Sequence, residues 1–185
     1  MIKRILTLLL LFAPCLLPFA SAQGLSEQAI IQKMVSAAEE IKTIQCSFTQ
    51  TKHSKMLVGE QVSQGKMFCQ KPYKLRWEYT SPRASSILLD ETNKGKGLVG
   101  SIARLIMNSV AGKCLTDDKA FLVTAKEIPT GYEATLVPLK KEMKRMFTRL
   151  VLRFDVRQST VTEVELHERN GDSTIIELHD IQTGK

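Results

Sequence analysis

Serines and histidines are the side chains here that could supply a nucleophile and its base, but their spacing matches no established catalytic motif. Ser101 follows Gly97-Leu98-Val99-Gly100, whereas the nucleophile elbow needs glycine two residues before and two residues after the serine. The three histidines, which lie on separate predicted strands or strand ends, are His53, His167 and His179. A lone histidine on a polar strand face is far more often a surface residue than a catalyst. We therefore expect a protein that is not an enzyme.

Acidic residues and cysteines are the remaining candidates for acid–base chemistry or metal binding. Glu39-Glu40 and Asp117-Asp118 are adjacent pairs, and sequence neighbours point in different directions on a helix or strand. Beyond the N-terminal segment the cysteines are Cys46, Cys69 and Cys114, without a Cys-x-x-Cys spacing. At most one disulfide is possible, and we interpret all three as small buried hydrophobic residues. Without a phosphate loop, metal motif or dinucleotide fingerprint, we expect no metal site and no cofactor.

The first 22 residues have the pattern of an export signal. Lys3 and Arg4 precede an apolar run that ends at Phe19, and Ala20-Ser21-Ala22 supplies the small residues that a signal peptidase requires. We assign residues 1–22 to a cleaved signal peptide and residues 23–185 to one domain of an exported protein.

The formal net charge of the full sequence is +7, but the basic residues are spread along predicted strands. Without a compact basic patch, nucleic acid is not an expected partner.

The segment from Lys74 to Tyr79 predicts a half-buried strand. Leu75, Trp77 and Tyr79 alternate with charged residues, which is the period of a strand with one apolar face. Pro72 cannot donate a hydrogen bond to a ladder, so Lys71-Pro72 predicts a turn from an earlier strand at residues 66–70. The two strands form a hairpin in this interpretation.

Helical periodicity appears in two segments. The first has Ser26 as its predicted N-cap and an apolar stripe that runs to about Lys42. The second follows a basic loop at residues 93–97 and ends at Gly112. Its predicted apolar face includes Leu98, Ile102, Leu105 and Ile106. This helix, with glycines at its ends, is either a mobile cover over a cavity or an ordinary core-packing helix.

The other segments are mostly strands. Alternating patterns at residues 44–51, 85–90, 120–125, 132–137, 149–156, 161–167 and 173–181 each give one apolar face. Asn170-Gly171 predicts a type I′ turn between the last two strands. Because a sheet that is apolar on one side needs a cover, the order of elements predicts an α+β fold with a curved antiparallel sheet wrapped around helices.

Several segments together resemble the LolA family of periplasmic lipoprotein carriers. The likeness begins with Ser47-Phe48-Thr49-Gln50 and continues through Lys71-Pro72, Leu75-Arg76-Trp77-Glu78-Tyr79 and Ser81-Pro82. It resumes at residues 131–138, at residues 150–155 and at Glu168-Arg169-Asn170-Gly171-Asp172-Ser173-Thr174. The resemblance implies an unclosed antiparallel β half-barrel whose open side is covered by α-helices.

The resemblance also implies a function. Proteins similar to this one carry the acyl chains of lipoproteins from an inner-membrane transporter to an outer-membrane acceptor through the periplasm. We would then expect a monomer that binds acylated lipoproteins or another lipid in an apolar cavity. The predicted cavity residues are Phe48, Met67, Leu75, Trp77, Tyr79, Leu152 and Phe154. The predicted cover comprises Leu98, Ile102, Leu105 and Ile106, with Lys71 at the position where the family has a latching arginine.

Two departures from the family pattern and two alternatives stay open. A lysine at position 71 cannot make the forked contact of an arginine, and the aromatic-bearing strand usual after Leu89 is missing.

One alternative function is that of a sensor or adaptor domain of the same fold that binds a protein or lipid partner in envelope signalling. The other is an esterase-like enzyme that depends on Ser101. On the strand pattern alone, Leu75→Glu should leave the fold largely intact and alter cargo uptake or release.

Overall fold

A computed structural model of the protein describes residues 24–56, 58–72, 74–92 and 97–185, and in the second helix it describes side chains from Ala103 onward. The segment assigned to the signal peptide, residues 1–22, lies outside these ranges. The helices are α1 (Glu27–Glu40), α2 (Gly97–Val110) and α3 (Lys141–Met146). The strands are β1 (Thr43–His53), β2 (Glu60–Gln70), β3 (Lys74–Ser81), β4 (Ser85–Leu89), β5 (Phe121–Ile128), β6 (Gly131–Pro138), β7 (Phe147–Asp155), β8 (Thr160–Glu168) and β9 (Ser173–Gly184).

All nine strands form one antiparallel sheet in the order β4-β3-β2-β1-β9-β8-β7-β6-β5. The last strand pairs with the first, so that Phe48 lies opposite Leu178. β4 and β5 are the two edges and do not pair with each other, which leaves the sheet unclosed. The predicted α+β fold, an open antiparallel half-barrel covered by helices, is confirmed.

The two longer helices cover different parts of the concave face. α1 begins at its predicted cap, where Ser26 Oγ accepts a hydrogen bond from the backbone N–H of Ala29 at 3.3 Å. It packs against β5, β6 and β8, whereas α2 packs against β3, β4 and β8. Alternate residues of the strands meet these helices in one buried core that includes Ile30, Leu136 and Leu152. The described parts of the predicted apolar stripes therefore close the core.

Two local predictions differ from the structure. β2 begins at Glu60, well before the predicted residue 66, because β1 pairs along its whole length up to His53 opposite Glu60. The residues of that extension are mostly polar, so a search for alternating hydrophobic residues does not detect it. The predicted type I′ turn is also wrong: Gly171 has a positive φ of 90°, but Asn170 does not. Instead, Asn170 Oδ1 accepts a hydrogen bond from the N–H of Asp172 at 3.0 Å, which closes a longer loop.

Gly65 is required by close packing between strands. A Cβ at this position would lie 2.0 Å from the carbonyl oxygen of Glu78 and 2.5 Å from Cζ of Phe48. We expect Gly65→Ala to lower the free energy of unfolding by at least about 2 kcal/mol, because backbone and a buried ring would both have to shift. Urea titration followed by circular dichroism measures the difference.

The control for this prediction is Gly24→Ala. A Cβ on Gly24 would meet only the carboxylate of Glu127, the movable end of a side chain, at 3.1 Å. This variant should unfold at nearly the urea concentration of the wild type. Equal stability of the Gly65 and Gly24 variants would contradict the packing that the structure gives around Phe48.

Candidate functional site

A cavity of about 180 Å³ lies between α2 and the concave face of the sheet. Its wall combines residues of β1, β3, β4, β7, β8 and β9 with three residues of α2. The lining residues are Gln50, Lys52, Trp77, Tyr79, Ile87, Ala103, Leu105, Ile106, Leu150, Val164, Leu166, Glu168, Thr174 and Ile176. Most of this wall is apolar, and the polar side chains belong to a few positions of β1, β3, β8 and β9. The arrangement suits a guest with an apolar part and a small polar part.

Two aromatic rings of the cavity wall, Trp77 and Tyr79, pack against Phe48 of the core. The centroids of Phe48 and Trp77 lie 4.1 Å apart, and Tyr79 meets Phe48 edge to face at 5.5 Å. The Tyr79 hydroxyl donates a hydrogen bond to Gln50 Oε1 at 3.0 Å. Burial raises the pKa of Tyr79 above its ordinary value. The indole N–H of Trp77 beside the hydroxyl reduces this rise, although the contact does not have the geometry of a hydrogen bond. The Tyr79 hydroxyl therefore stays protonated at neutral pH.

The polar end of the cavity contains an ion pair. Lys52 Nζ lies 3.2 Å from Glu168 Oε1 and 3.8 Å from Asp172 Oδ2. The sheet register brings these residues together, because Thr174 of β9 lies opposite both Lys52 of β1 and Leu166 of β8. Asp172 Oδ1 also accepts a hydrogen bond from the backbone N–H of Lys55 at 3.1 Å, which holds the pKa of its carboxyl below the ordinary value. Lys52 is thus a cation that already faces two carboxylates.

The residues that the sequence predicts for the cavity divide into two groups. Trp77 and Tyr79 line it. The others are buried on the same face but pack within the core and do not contribute to the wall: Phe48, Met67, Leu75, Leu152 and Phe154. Of the predicted cover, Leu105 and Ile106 line the cavity, whereas the side chains of Leu98 and Ile102 lie outside the described residues. α2 is therefore the helix that closes the described cavity.

Sequence reasoning missed most of the wall. Ile87, Leu150, Val164 and Ile176 each occupy the apolar face of a recognisable strand, so alternation marks them as buried. It does not distinguish a residue that lines a cavity from one in the packed core. The same alternation continues with polar residues toward the strand ends, where a search for hydrophobic residues does not detect it. These residues are Gln50, Lys52, Glu168 and Thr174.

Lys71 contacts α1. Its ammonium group donates a hydrogen bond to the carbonyl oxygen of Ala38, in the last turn of that helix, and its backbone N–H donates to Lys42 O at 2.9 Å. Burial lowers the pKa of Lys71, while the charge of Glu39 opposes that effect. The contact ties the turn between β2 and β3 to the C-terminal end of α1, which carries the negative end of the helix dipole.

Removing this contact should loosen the end of α1. We expect Lys71→Met to lower the free energy of unfolding by about 1–2 kcal/mol, since a partly buried charge-assisted hydrogen bond is lost while the aliphatic stem is kept. Faster amide hydrogen exchange in the last turn of α1 would show where the effect lies. Lys71→Arg keeps a cationic donor, and its free energy of unfolding should lie between those of the wild type and of Lys71→Met. Amide protection in the last turn of α1 that is the same in Lys71→Met as in the wild type would contradict this role.

None of the histidines considered for catalysis lines the described cavity, and the side chain of Ser101 lies outside the described residues. His167 Nε2 lies 2.7 Å from Glu165, His53 Nδ1 lies 3.4 Å from Glu60, and His179 Nε2 lies 3.2 Å from the hydroxyl of Thr49.

The thiols of Cys46, Cys69 and Cys114 are free and buried, as interpreted from the sequence. Burial raises the pKa of Cys46 to about 12 and that of the other two to about 11, so the thiols stay protonated. Within the described ranges no group of acidic, histidine or cysteine side chains could hold a metal ion.

Comparison with known proteins gives one family match. The model of the family "Outer membrane lipoprotein carrier protein LolA" matches residues 39–94, a range that extends from the end of α1 past β4. Comparison with curated proteins gives no match. None of the described helices is long and apolar enough to cross a membrane.

Solved structures similar to this chain have low sequence identity. A LolA superfamily protein from Nitrosomonas europaea is 11% identical, with 84% of this chain and 94% of that chain covered and a TM-score of 0.43. A putative outer membrane lipoprotein-sorting protein domain from Vibrio parahaemolyticus is 10% identical, with coverages of 86% and 92% and a TM-score of 0.42. A chain of the MucA/MucB complex from Pseudomonas aeruginosa is 10% identical, with coverages of 84% and 56% and a TM-score of 0.46. This chain therefore spans about half the length of that last one.

The family match covers the segment that supplies Trp77, Tyr79 and Ile87 to the cavity. It also contains the first residues on which the resemblance was recognised, from Ser47 to Pro82. The resemblance to the LolA family that the sequence predicts is confirmed over residues 39–94.

Proposed function

We propose that this protein binds the acyl chains of lipoproteins, or of a similar lipid, in the cavity under α2 and carries them through the periplasm toward the outer membrane. The observation that supports this proposal most strongly is the apolar cavity of about 180 Å³ on the concave face. The LolA family match over residues 39–94 supports the same class of cargo. The role is binding and transfer, without catalysis of a reaction.

The size of the cavity implies that the cover moves. An apolar cavity of about 150 Å³ accepts a guest of the size of benzene, so the present volume has room for a few methylene groups. A whole acyl chain of about 16 carbons is larger, and burying it contributes on the order of 10 kcal/mol of gross driving force. In the proposal this driving force offsets the contacts that α2 loses with β3, β4 and β8. In the proposal, α2 therefore swings outward when cargo enters.

The proposal includes a route and partners. Residues 1–22 direct export and are removed, and residues 23–185 act as a monomeric domain. An inner-membrane transporter loads the cargo, and an outer-membrane acceptor receives it. The predicted sensor or adaptor function is the competing interpretation, and it differs in one respect that can be measured, because a carrier is isolated with lipid in its cavity.

Purification of the mature protein from the cell envelope, without detergent, tests the proposal. Extraction with organic solvent and mass spectrometry should find fatty acyl or acylated material in amounts close to one molecule per protein. The control is the same preparation after unfolding, solvent washing and refolding, which should be empty until it is incubated with the lipid extract. Freshly isolated protein that is empty, and stays empty on incubation, would contradict the carrier and favour the adaptor.

A further inference from the structure

The turn between β1 and β2 presents apolar side chains to solvent. The two strands pair up to His53 opposite Glu60, so the turn between them extends beyond the end of the sheet. In this turn Met56 is 91% exposed, and Val58 is as exposed as in an isolated peptide, at 110%. Single exposed apolar residues are common on protein surfaces, so the meaning of these two depends on what surrounds them.

Two further segments lie at the same end of the sheet. β9 begins opposite the last residue of β1, and β7 begins opposite the last residue of β8. The β8–β9 turn and the segment with α3, which precedes β7, therefore lie beside the β1–β2 turn. Hydrogen bonds join the three: the backbone N–H of Lys55 donates to Asp172 Oδ1 at 3.1 Å, and that of Arg169 donates to Met146 O at 3.3 Å.

These segments form a basic surface. We call their described residues the basic rim, which comprises residues 54–56, 58–59, 139–146 and 169–172. The exposed basic residues of the rim are Lys55, Lys140, Lys141, Lys144, Arg145 and Arg169. Its acidic residues are Glu142, which is exposed, and Asp172, which is buried beneath Lys55. The rim therefore carries an excess of positive charge beside two exposed apolar side chains.

The basic rim borders the polar end of the cavity under α2. Asp172 Oδ2 lies 3.8 Å from Nζ of Lys52, which lines that cavity. A crevice of about 280 Å³ is lined by Arg145 and Arg169 of the rim and shares Glu168 with the cavity. A partner that docks on the rim therefore lies next to the polar end of the cavity.

The combination of charges and apolar side chains matches the surface of an anionic lipid bilayer. Anionic head groups attract each Lys or Arg that comes within a Debye length, and salt weakens this attraction. Apolar side chains beside the cations gain a further contribution, which salt does not screen, when they enter the acyl boundary. An acidic protein would match the charges, but it would need a pocket for Met56 and Val58, whereas a bilayer accepts them anywhere on its surface.

We propose that the basic rim docks this protein on an anionic bilayer. Met56 and Val58 enter the interface, and the cations of residues 140–145 and Arg169 lie against the lipid phosphates. The inference goes beyond the proposed function, in which protein partners load and receive the cargo, and it does not require a guest in the cavity.

Flotation of the purified mature protein with lipid vesicles tests the inference. One set of vesicles is phosphatidylcholine alone, and the other contains about 30% phosphatidylglycerol, which supplies the negative charge. We expect the protein to bind the anionic vesicles at least about tenfold more tightly than the neutral ones. Raising the salt concentration to about 0.5 M should weaken this binding without abolishing it, because the apolar contribution remains.

A matched pair of valine variants tests the apolar part. Val58→Ser should weaken binding to the anionic vesicles at least about threefold, because the side chain no longer enters the interface. The control is Val156→Ser, at a residue that is 47% exposed and follows β7 at the opposite end of the sheet. It should bind as the wild type does.

A matched pair of lysine variants tests the charged part. Lys141→Gln combined with Lys144→Gln removes two exposed charges from α3, and it should weaken binding to the anionic vesicles at least about fivefold and reduce the effect of salt. Lys66→Gln combined with Lys74→Gln removes the same charge from exposed positions of β2 and β3, away from the rim. This control should retain at least about half of the wild-type affinity.

A cavity variant separates docking from uptake of a guest. Ala103→Phe places a ring in the cavity under α2, and it should float with the anionic vesicles as the wild type does. If its binding is lost, the vesicle signal reports uptake into the cavity, which would overturn docking by the rim and leave the proposed function intact.

Other outcomes also decide the question. Equal binding to both kinds of vesicle, or binding to neither, would overturn the inference whether or not the protein is isolated with lipid. Binding that salt abolishes and that Val58→Ser does not change would show attraction by charge alone, as an acidic protein would also experience. That result would overturn docking by insertion into a bilayer.

Discussion

Leu75→Glu is expected to prevent stable folding, with a loss of more than about 4 kcal/mol in the free energy of unfolding. Leu75 is 1% exposed and lies on β3 between Cys69 of β2 and Leu89 of β4. Truncating a buried leucine alone costs about 2–5 kcal/mol, and a buried carboxylate without a partner adds a further penalty. Since whole domains are stable by about 5–15 kcal/mol, little folded protein should remain. Soluble yield and circular dichroism measure the effect.

This result would replace the expectation from the strand pattern, which was an intact fold with altered cargo transfer. The face assignment of Leu75 is correct, but the residue packs in the core and does not line the cavity. Leu75→Met, which nearly conserves volume, is the control and should cost less than about 1.5 kcal/mol. A glutamate variant that folds normally and merely loses lipid would show that Leu75 faces the guest, contrary to the structure.

Ala103→Phe is expected to remove at least about nine-tenths of the lipid that copurifies with the protein, while the fold is kept. Ala103 lies on α2, is 3% exposed and lines the cavity. A phenyl ring at this position occupies much of the 180 Å³ that the guest requires. Because filling an existing cavity restores contacts, the variant should unfold at the same urea concentration as the wild type or at a higher one.

The matched control for this prediction is Ala37→Phe. Ala37 lies on α1, is partly buried against the core and does not line the cavity. The same gain in side-chain size there should leave the lipid content unchanged. Equal lipid occupancy in the Ala103 variant and the wild type would mean that cargo binds elsewhere on the protein.

The sequence predicts the elements of this fold well because each strand has one apolar face. Alternation places Leu75, Trp77 and Tyr79 on the concave side, and the capping serine and apolar stripe locate α1. The pairing of β1 with β9 depends on residues more than a hundred positions apart, and no local pattern encodes it. The turn at Asn170 was misassigned because its side-chain hydrogen bond closes a longer loop.

The candidate site is harder to predict for the same reason. Trp77 lines the cavity and Leu75 does not, although both have the same period and the same 1% exposure. Their difference arises from where α2 lies across the sheet, which is a tertiary property. Lys52 and Glu168 come from strands that are joined only through β9, so their ion pair becomes visible once the register is known.

Photo-crosslinking tests the central claim, that a guest occupies the space between α2 and the concave sheet, most directly. The delipidated protein would be loaded with a monoacylglycerol that carries a diazirine within its chain, irradiated, digested and sequenced by mass spectrometry. The account predicts labels on residues of the cavity wall, above all Ile87, Leu105 and Ile176, and their loss in Ala103→Phe. Labels confined to the convex face of the sheet, or a pattern that Ala103→Phe does not change, would contradict it.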